Sequence, residues 1–273
     1  DMSDWLTVTR GEAPLIVSIP HAGTDIPPDI EARLISPDLA RTDTDWHIPA
    51  LYDFAAAMGA TVIRTAISRT VIDVNRDPSG APLYPGQATT ALCPLTTFDG
   101  KPLYREGTAP HQDEIGERRG RYFLPYHAAI VSEIGRLKRT HHAVVLYDAH
   151  AIRSHIPALF AGELPVFNIG TNGGRSCAQE LSAAAQAICA GSGEPTVANG
   201  RFKGGYITRL YGRPDGGVHA LQMELAFRGF LKEPAVLRDY NWPPVFDAEL
   251  AAKMQAVLKR VLGACLTFAQ DPS

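Results

Sequence analysis

Apolar positions along this chain follow two periods. Residues 15–19, in which Ser18 stands among aliphatic residues, and 143–147 are largely apolar runs of strand length, the first stopped by Pro20. Residues 61–63, 71–74, 166–169 and 221–225 repeat that pattern and predict four more strands. Between them the spacing turns helical. Ile48, Leu51, Tyr52, Ala55 and Met58 line one face of a helix over 45–58 that Gly59 would stop. Residues 111–139 read as a long helical region bent or broken near Pro125, 176–190 as an alanine-rich helix, and 247–269 as a closing amphipathic one. Residues 75–110 are rich in Pro, Gly and Thr with little periodicity, the mark of a functional loop. Strands alternating with helices predict an α/β fold with a mixed, mostly parallel central sheet flanked by helices. No repeat, low-complexity tract or linker divides the chain, so one domain over 1–273 is expected. In such a fold ligands gather beyond the carboxyl ends of the strands.

That rule picks out histidines and acids. His21 comes just after the first strand and His150 just after the run 143–147, while Asp45 belongs to the acidic stretch Asp43-Thr44-Asp45-Trp46-His47. Two imidazoles and a carboxylate form a three-ligand set for a catalytic zinc, with one position left for water. His47 competes as a ligand, Asp43 and Asp45 could instead cap the following helix, and Asp148 could be a ligand or the acceptor for an imidazole N–H. Glu224 puts a carboxylate inside the apolar run 221–225, where burial demands a partner, a proton or a metal. It is a candidate general base.

Composition narrows the class. With 273 residues, 45% of them hydrophobic, the chain can bury a large core. A net charge of −3 creates no field that recruits nucleic acid or an anionic membrane. No apolar run approaches the roughly 20 residues of a membrane span, and the first residues lack the basic-then-apolar order of a secretory leader. Cys93, Cys177, Cys189 and Cys265 form no CxxC pair and read as reduced thiols, so a cytoplasmic protein is expected, a monomer or small homo-oligomer acting on a small molecule. No Walker loop or GxSxG elbow is present, which excludes those phosphate and nucleophile chemistries. His111, His127, His141 and His142 read as packing or solvated residues; His155, beside Arg153, is a further candidate substrate contact.

Arginines number 20 against 6 lysines, and several cluster. Arg64, Arg69, Asn75 and Arg76 flank the second and third predicted strands; Gly204, Gly205, Tyr206, Arg209, Tyr211 and Arg213 form a second group. The glycine pair allows close backbone approach while the arginines and tyrosines supply donors. Two groups of guanidinium forks suit a substrate with two carboxylates.

Five segments carry a resemblance: PLIVSIPHAG ending at Gly23, DTDWHIPAL from Asp43, SRTVIDVNRDP from Ser68, YDAHAIRS from Tyr147 and GGYITRLYGRPDGGVHALQMELAF from Gly204. Spread over most of the chain in consistent order, they resemble the N-formylglutamate amidohydrolase family. The resemblance implies hydrolysis of N-formyl-L-glutamate to formate and L-glutamate in histidine breakdown, a fold like that of zinc carboxypeptidases, and one divalent metal, zinc being the expected ion. It implies His21, Asp45 and His150 as ligands, Glu224 as base, and Asn75 and Arg76 on one substrate carboxylate; Arg69 is expected beside the oxyanion. Gly205, Tyr206 and Arg209 or Arg213 would meet the other. Carboxypeptidases draw a histidine and a glutamate from one HxxE segment; here Thr24 stands three residues after His21, so the acidic ligand comes from elsewhere. A related metallohydrolase for succinyl- or acetyl-amino acids, or a metal-free binder of acidic ligands, are the other readings.

Overall fold

The structure is a computed structural model and describes residues 4–82 and 91–271. Seven strands form one sheet: β1 (Leu6–Thr9), β2 (Leu15–Ile19), β3 (Thr61–Thr65), β4 (Val144–Ile152), β5 (Phe167–Gly170), β6 (Thr196–Ala198) and β7 (Val218–Ala226). Their order is β1-β3-β2-β4-β7-β5-β6. The central four, β3, β2, β4 and β7, run parallel. β1 pairs antiparallel with β3, β5 pairs antiparallel with β7, and β6 runs parallel to β5. The sheet is therefore mixed and mostly parallel, as the alternating pattern predicts.

Helical segments cover both faces: α1 (Pro28–Glu31), α2 (Pro37–Ala40), α3 (Ile48–Leu51), α4 (Gln112–Arg118), α5 (Leu124–Lys138), α6 (Gln179–Ala190), α7 (Tyr206–Tyr211) and α8 (Ala248–Gln270). One face of the sheet packs Val17, Tyr147, Leu221, Met223 and Leu225 with Leu181 and Ala185 of α6 and Leu258, Val261 and Leu262 of α8. The other face packs Ile16, Leu146 and Ala220 with Tyr126, Ile130 and Leu137 of α5. Among the described residues, no helix is long and apolar enough to cross a membrane. All four cysteines are free and buried, and burial pushes their thiols up, to about 11 for Cys93 and about 12 for the other three.

Several elements differ from the sequence expectation, each for a visible reason. Residues 71–74 are turn and loop, not strand, although Val71, Ile72 and Val74 are buried. Side chains, not a neighbouring strand, take their carbonyls: Arg118 donates to Val71 O and the His127 ring to Val74 O. The helix expected over 45–58 starts only at Ile48, because His47 sits in the left-handed region at φ 65°, and it is split at Tyr52 (φ −102°, ψ 20°) into α3 and a 3-10 turn, Asp53–Met58. Over 111–139 there is no break at Pro125; a π-helical stretch, Arg119–Phe123, joins α4 to α5, and the wider turn absorbs the N–H that proline lacks. β4 runs five residues past Tyr147, so His150 lies within it. The edge strands β1 and β6, four and three residues long, carry too few positions for a period to show.

Candidate active site

β4 and β7 pair in register with His150 opposite Glu224 and Asp148 opposite Gln222. The alternation of a strand puts Asp148, His150, Gln222 and Glu224 on one face, above the apolar Leu146 and Ala220 of the same face. All four are buried. They lie toward the carboxyl ends of the two strands, where β2 ends beside them and His21 follows Ile19 by two residues.

The Asp45 main-chain N–H donates to His21 O (3.0 Å), tying the acidic stretch to the end of β2. Asp45 Oδ2 then lies 3.0 Å from His150 Nδ1 and 3.8 Å from His21 Nδ1. One donor atom from each of these three buried residues lies within 4.8 Å of the others. A tetrahedral zinc with ligands near 2.1 Å sets its donors about 3.4 Å apart, inside the spread seen here. Each imidazole turns its other nitrogen to a carboxylate: His21 Nε2 to Asp73 Oδ1 at 2.6 Å, and His150 Nε2 to Asp148 Oδ2 at 2.7 Å. Such partners fix the tautomer and leave Nδ1 as the ligating atom. The residues therefore fit a divalent metal.

Electrostatics bind the group together. Arg69 is buried, with Nη1 3.3 Å from Asp45 Oδ1, Nη2 3.3 Å from Asp73 Oδ2, and the Phe98 ring over its face at 4.9 Å. Burial works against the charge on Asp73, but His21, Arg69 and Arg76 more than offset it and hold that carboxyl well below the usual range. Asp45 is lowered in the same sense by His150, His21 and Arg69. Burial lowers His21; at His150 burial also opposes the charge, but Asp148 and Asp45 outweigh it and raise the ring. Glu224 differs. Burial pushes it up to about 8, against the pull of His150 and Arg69, and its side chain makes no hydrogen bond or ion pair among the described residues.

The other ligand candidates are engaged elsewhere. Asp43 accepts from Phe98 N (2.7 Å) and faces Arg153 at 3.2 Å; the His47 ring lies 2.8 Å from Pro244 O. Neither Asp43 nor Asp45 caps α3, whose N-cap is His47. His155 is exposed and faces Glu163 at 3.8 Å.

The structure brings together only part of the two arginine groups. Arg76 Nη2 lies 3.5 Å from Asp73. Asn75 is a structural hub: Nδ2 donates to Asp148 Oδ2 (3.2 Å) and Oδ1 accepts from Ile207 N (2.8 Å), joining the site to the start of α7. Gly205 is needed there, since a Cβ would come within 2.4 Å of the Asn75 amide. Its N–H donates to Gln222 Oε1 at 2.7 Å. The Tyr206 main-chain N–H reaches Asn75 O (3.4 Å), and its ring turns to Phe123 and His127. Arg209 Nε donates to Gly204 O (2.8 Å), which keeps its head beside the glycine pair. Arg213 is set apart. It is exposed, donates to Arg209 O and Gly212 O, and bridges to Val218 at the far end of β7. Val218 is six positions before Glu224, about 20 Å along the strand.

Asp73 escaped the sequence reading. The signal was there, a charged residue inside the apolar run 71–74, as Glu224 is inside 221–225.

Residues 13–230 match the family model described as N-formylglutamate amidohydrolase. The chain belongs to that family. It is 46% identical over 271 residues to an N-formylglutamate deformylase of Pseudomonas aeruginosa, covering 99% of both chains. It is 44% identical over 275 residues to one from Pseudomonas putida, covering 99% of this chain and 98% of that one. The crystal structure of N-formylglutamate amidohydrolase from Ralstonia eutropha has the same fold, with a TM-score of 0.75 at 22% identity over 97% of each chain. A gene product of Agrobacterium tumefaciens also shares it, at 0.73 and 16% identity over 97% and 96%.

Proposed function

We propose that this chain is an N-formylglutamate deformylase, adding water across the formyl C–N bond of N-formyl-L-glutamate to give formate and L-glutamate. Family membership and two deformylases above 40% identity over nearly the full chain support the activity. The observation that carries the mechanism is the register of Glu224 against His150, which sets a carboxylate without a hydrogen-bond partner beside the His21, Asp45 and His150 cluster.

A divalent metal held by those three residues, zinc being the ion that suits two imidazoles and a carboxylate, would supply Lewis-acid polarisation of the formyl oxygen and acidify a water. Glu224 takes the proton of the attacking water, and the same carboxyl then delivers it to the amine nitrogen as the C–N bond breaks. A raised pKa suits both halves of that task, because the group must gain and lose the proton within one turnover. Arg69 holds Asp45 and Asp73 in place, with Phe98 stacked over its guanidinium. Arg76 takes one substrate carboxylate, and Arg209 with the Gly205–Tyr206 turn takes the other. Asn75, whose amide is committed to Asp148 and Ile207, orients both grips. Arg213 contributes nothing at its distance. The whole chain works as one catalytic unit in the cytoplasm, within histidine degradation.

The test is formate release from N-formyl-L-glutamate by purified protein, before and after exhaustive chelation and again with zinc restored. Full activity after chelation refutes the metal role; no activity under any condition refutes the substrate.

A further inference from the structure

Asn168 belongs to none of the motifs read from the sequence. It lies on β5 directly opposite Glu224 of the antiparallel neighbour β7. Opposed residues of such a pair project from the same face. Phe167, Ile169, Met223 and Leu225 all enter the core on the α8 side, so Asn168 shares with Glu224 the face that carries His150.

The Asn168 side chain is 1% exposed, and its donors settle its orientation. Nδ2 donates to the main-chain oxygens of Pro165 (2.7 Å) and Glu224 (3.1 Å), a pair of acceptors that the oxygen end could not serve. Oδ1 is buried and has no hydrogen-bond partner. Buried polar atoms are almost always satisfied, and leaving an acceptor bare is costly. Among the described residues no neighbour supplies the donor: neither the Gln222 amide nor the Glu224 carboxyl hydrogen-bonds to it.

A formyl amide brings one such donor next to its reacting carbon. We propose that Asn168 Oδ1 accepts the scissile N–H of the substrate and so presents the amide nitrogen to Glu224. The inference rests on the hydrolysis proposed above. Asn168 undergoes no covalent change. The water proton passes to Glu224 and from there to the nitrogen lone pair as the C–N bond breaks, while the original N–H stays with the amine product. A site with a fixed acceptor here selects a secondary amide over its ester isostere, which lacks the hydrogen.

The experiment compares N-formyl-L-glutamate with 2-formyloxyglutarate, its ester counterpart, in the metal-loaded wild-type protein and in Asn168→Ala. Loss of one hydrogen bond in the transition state should lower kcat/KM for the amide about tenfold or more, with the ester changed by less than about threefold. An equal fall for both compounds would overturn the proposal, since damage to packing or to Glu224 does not distinguish them. If Asn168→Ala does not fold, Asn168→Ser is read in the same way. Wild-type protein inert toward both compounds would instead refute the functional reading beneath the inference.

Discussion

On one face of β4 and β7, Tyr147, Ala149, Ala151, Leu221, Met223 and Leu225 are no more than 2% exposed; on the other, Asp148, His150, Gln222 and Glu224 are no more than 8% exposed. The strands and the burial are shared, and only the chemistry differs. The first face needs nothing but contact, which α6 and α8 provide. The second hides polar groups that need partners, and several find them in distant loops: Asp45 beside His150, Asn75 on Asp148, Gly205 on Gln222. Glu224 is the side chain of this face left without such a partner among the described residues. The comparison shows that unbalanced desolvation, not depth, sets the proposed base apart from its neighbours.

The two faces should fail in different ways. Glu224→Gln should lower kcat by about 10³-fold or more while the protein keeps its metal, checked by formate assay and metal analysis. Loss of the metal as well would make Glu224 a ligand and erase the distinction. On the core face, Leu225→Ala should cost about 2–5 kcal/mol in urea unfolding and leave kcat of the folded fraction within about twofold. A large fall in kcat would mean that the packed face also tunes the site.

Smaller effects sharpen the contrast within the polar face. Asp73→Asn weakens the carboxylate behind His21 and should lower metal affinity or activity about 10- to 100-fold, measured by competition with a chelator. Glu224 also predicts a pH dependence of stability in chelated protein. Its pKa is higher folded (about 8) than its ordinary 4.5, so the native state holds a proton that the unfolded chain releases. That contribution is fully present below pH 4.5 and is lost as the pH rises through 8, on the order of a few kcal/mol. Urea midpoints at pH 5 and pH 9 should show the decline in wild type and lack this part of it in Glu224→Gln. Last, Arg213→Ala should change KM for N-formyl-L-glutamate less than about twofold, whereas Arg209→Ala should raise it at least about tenfold. Equal effects would place both arginines on substrate.

Much of this site was legible because its residues break local patterns. A carboxylate inside residues 221–225 contradicts a buried strand unless it has work to do, and a histidine just past residues 15–19 stands where α/β folds collect ligands. Asp73 carried the same signal but was hidden by the expectation that residues 71–74 form a strand, where side-chain hydrogen bonds in fact replace the ladder. Asn168 gave no sign, because an asparagine in a four-residue strand is unremarkable until its oxygen is found buried and bare. Arg213 misled in the opposite direction. Four positions after Arg209 it looks like part of one cluster, yet the chain turns at Gly212 and enters β7 from the far end.

Periodicity and composition alone determined the alternation of strands and helices, the α/β class and the residue types available for chemistry, because those follow from how local geometry distributes apolar side chains. That Asp45 meets both imidazoles, that Asp73 stands behind His21 and how far Arg213 lies from Glu224 were decided only when separate segments of the chain were brought together. Strand order and register set those meetings, and neither is written in any local stretch of sequence.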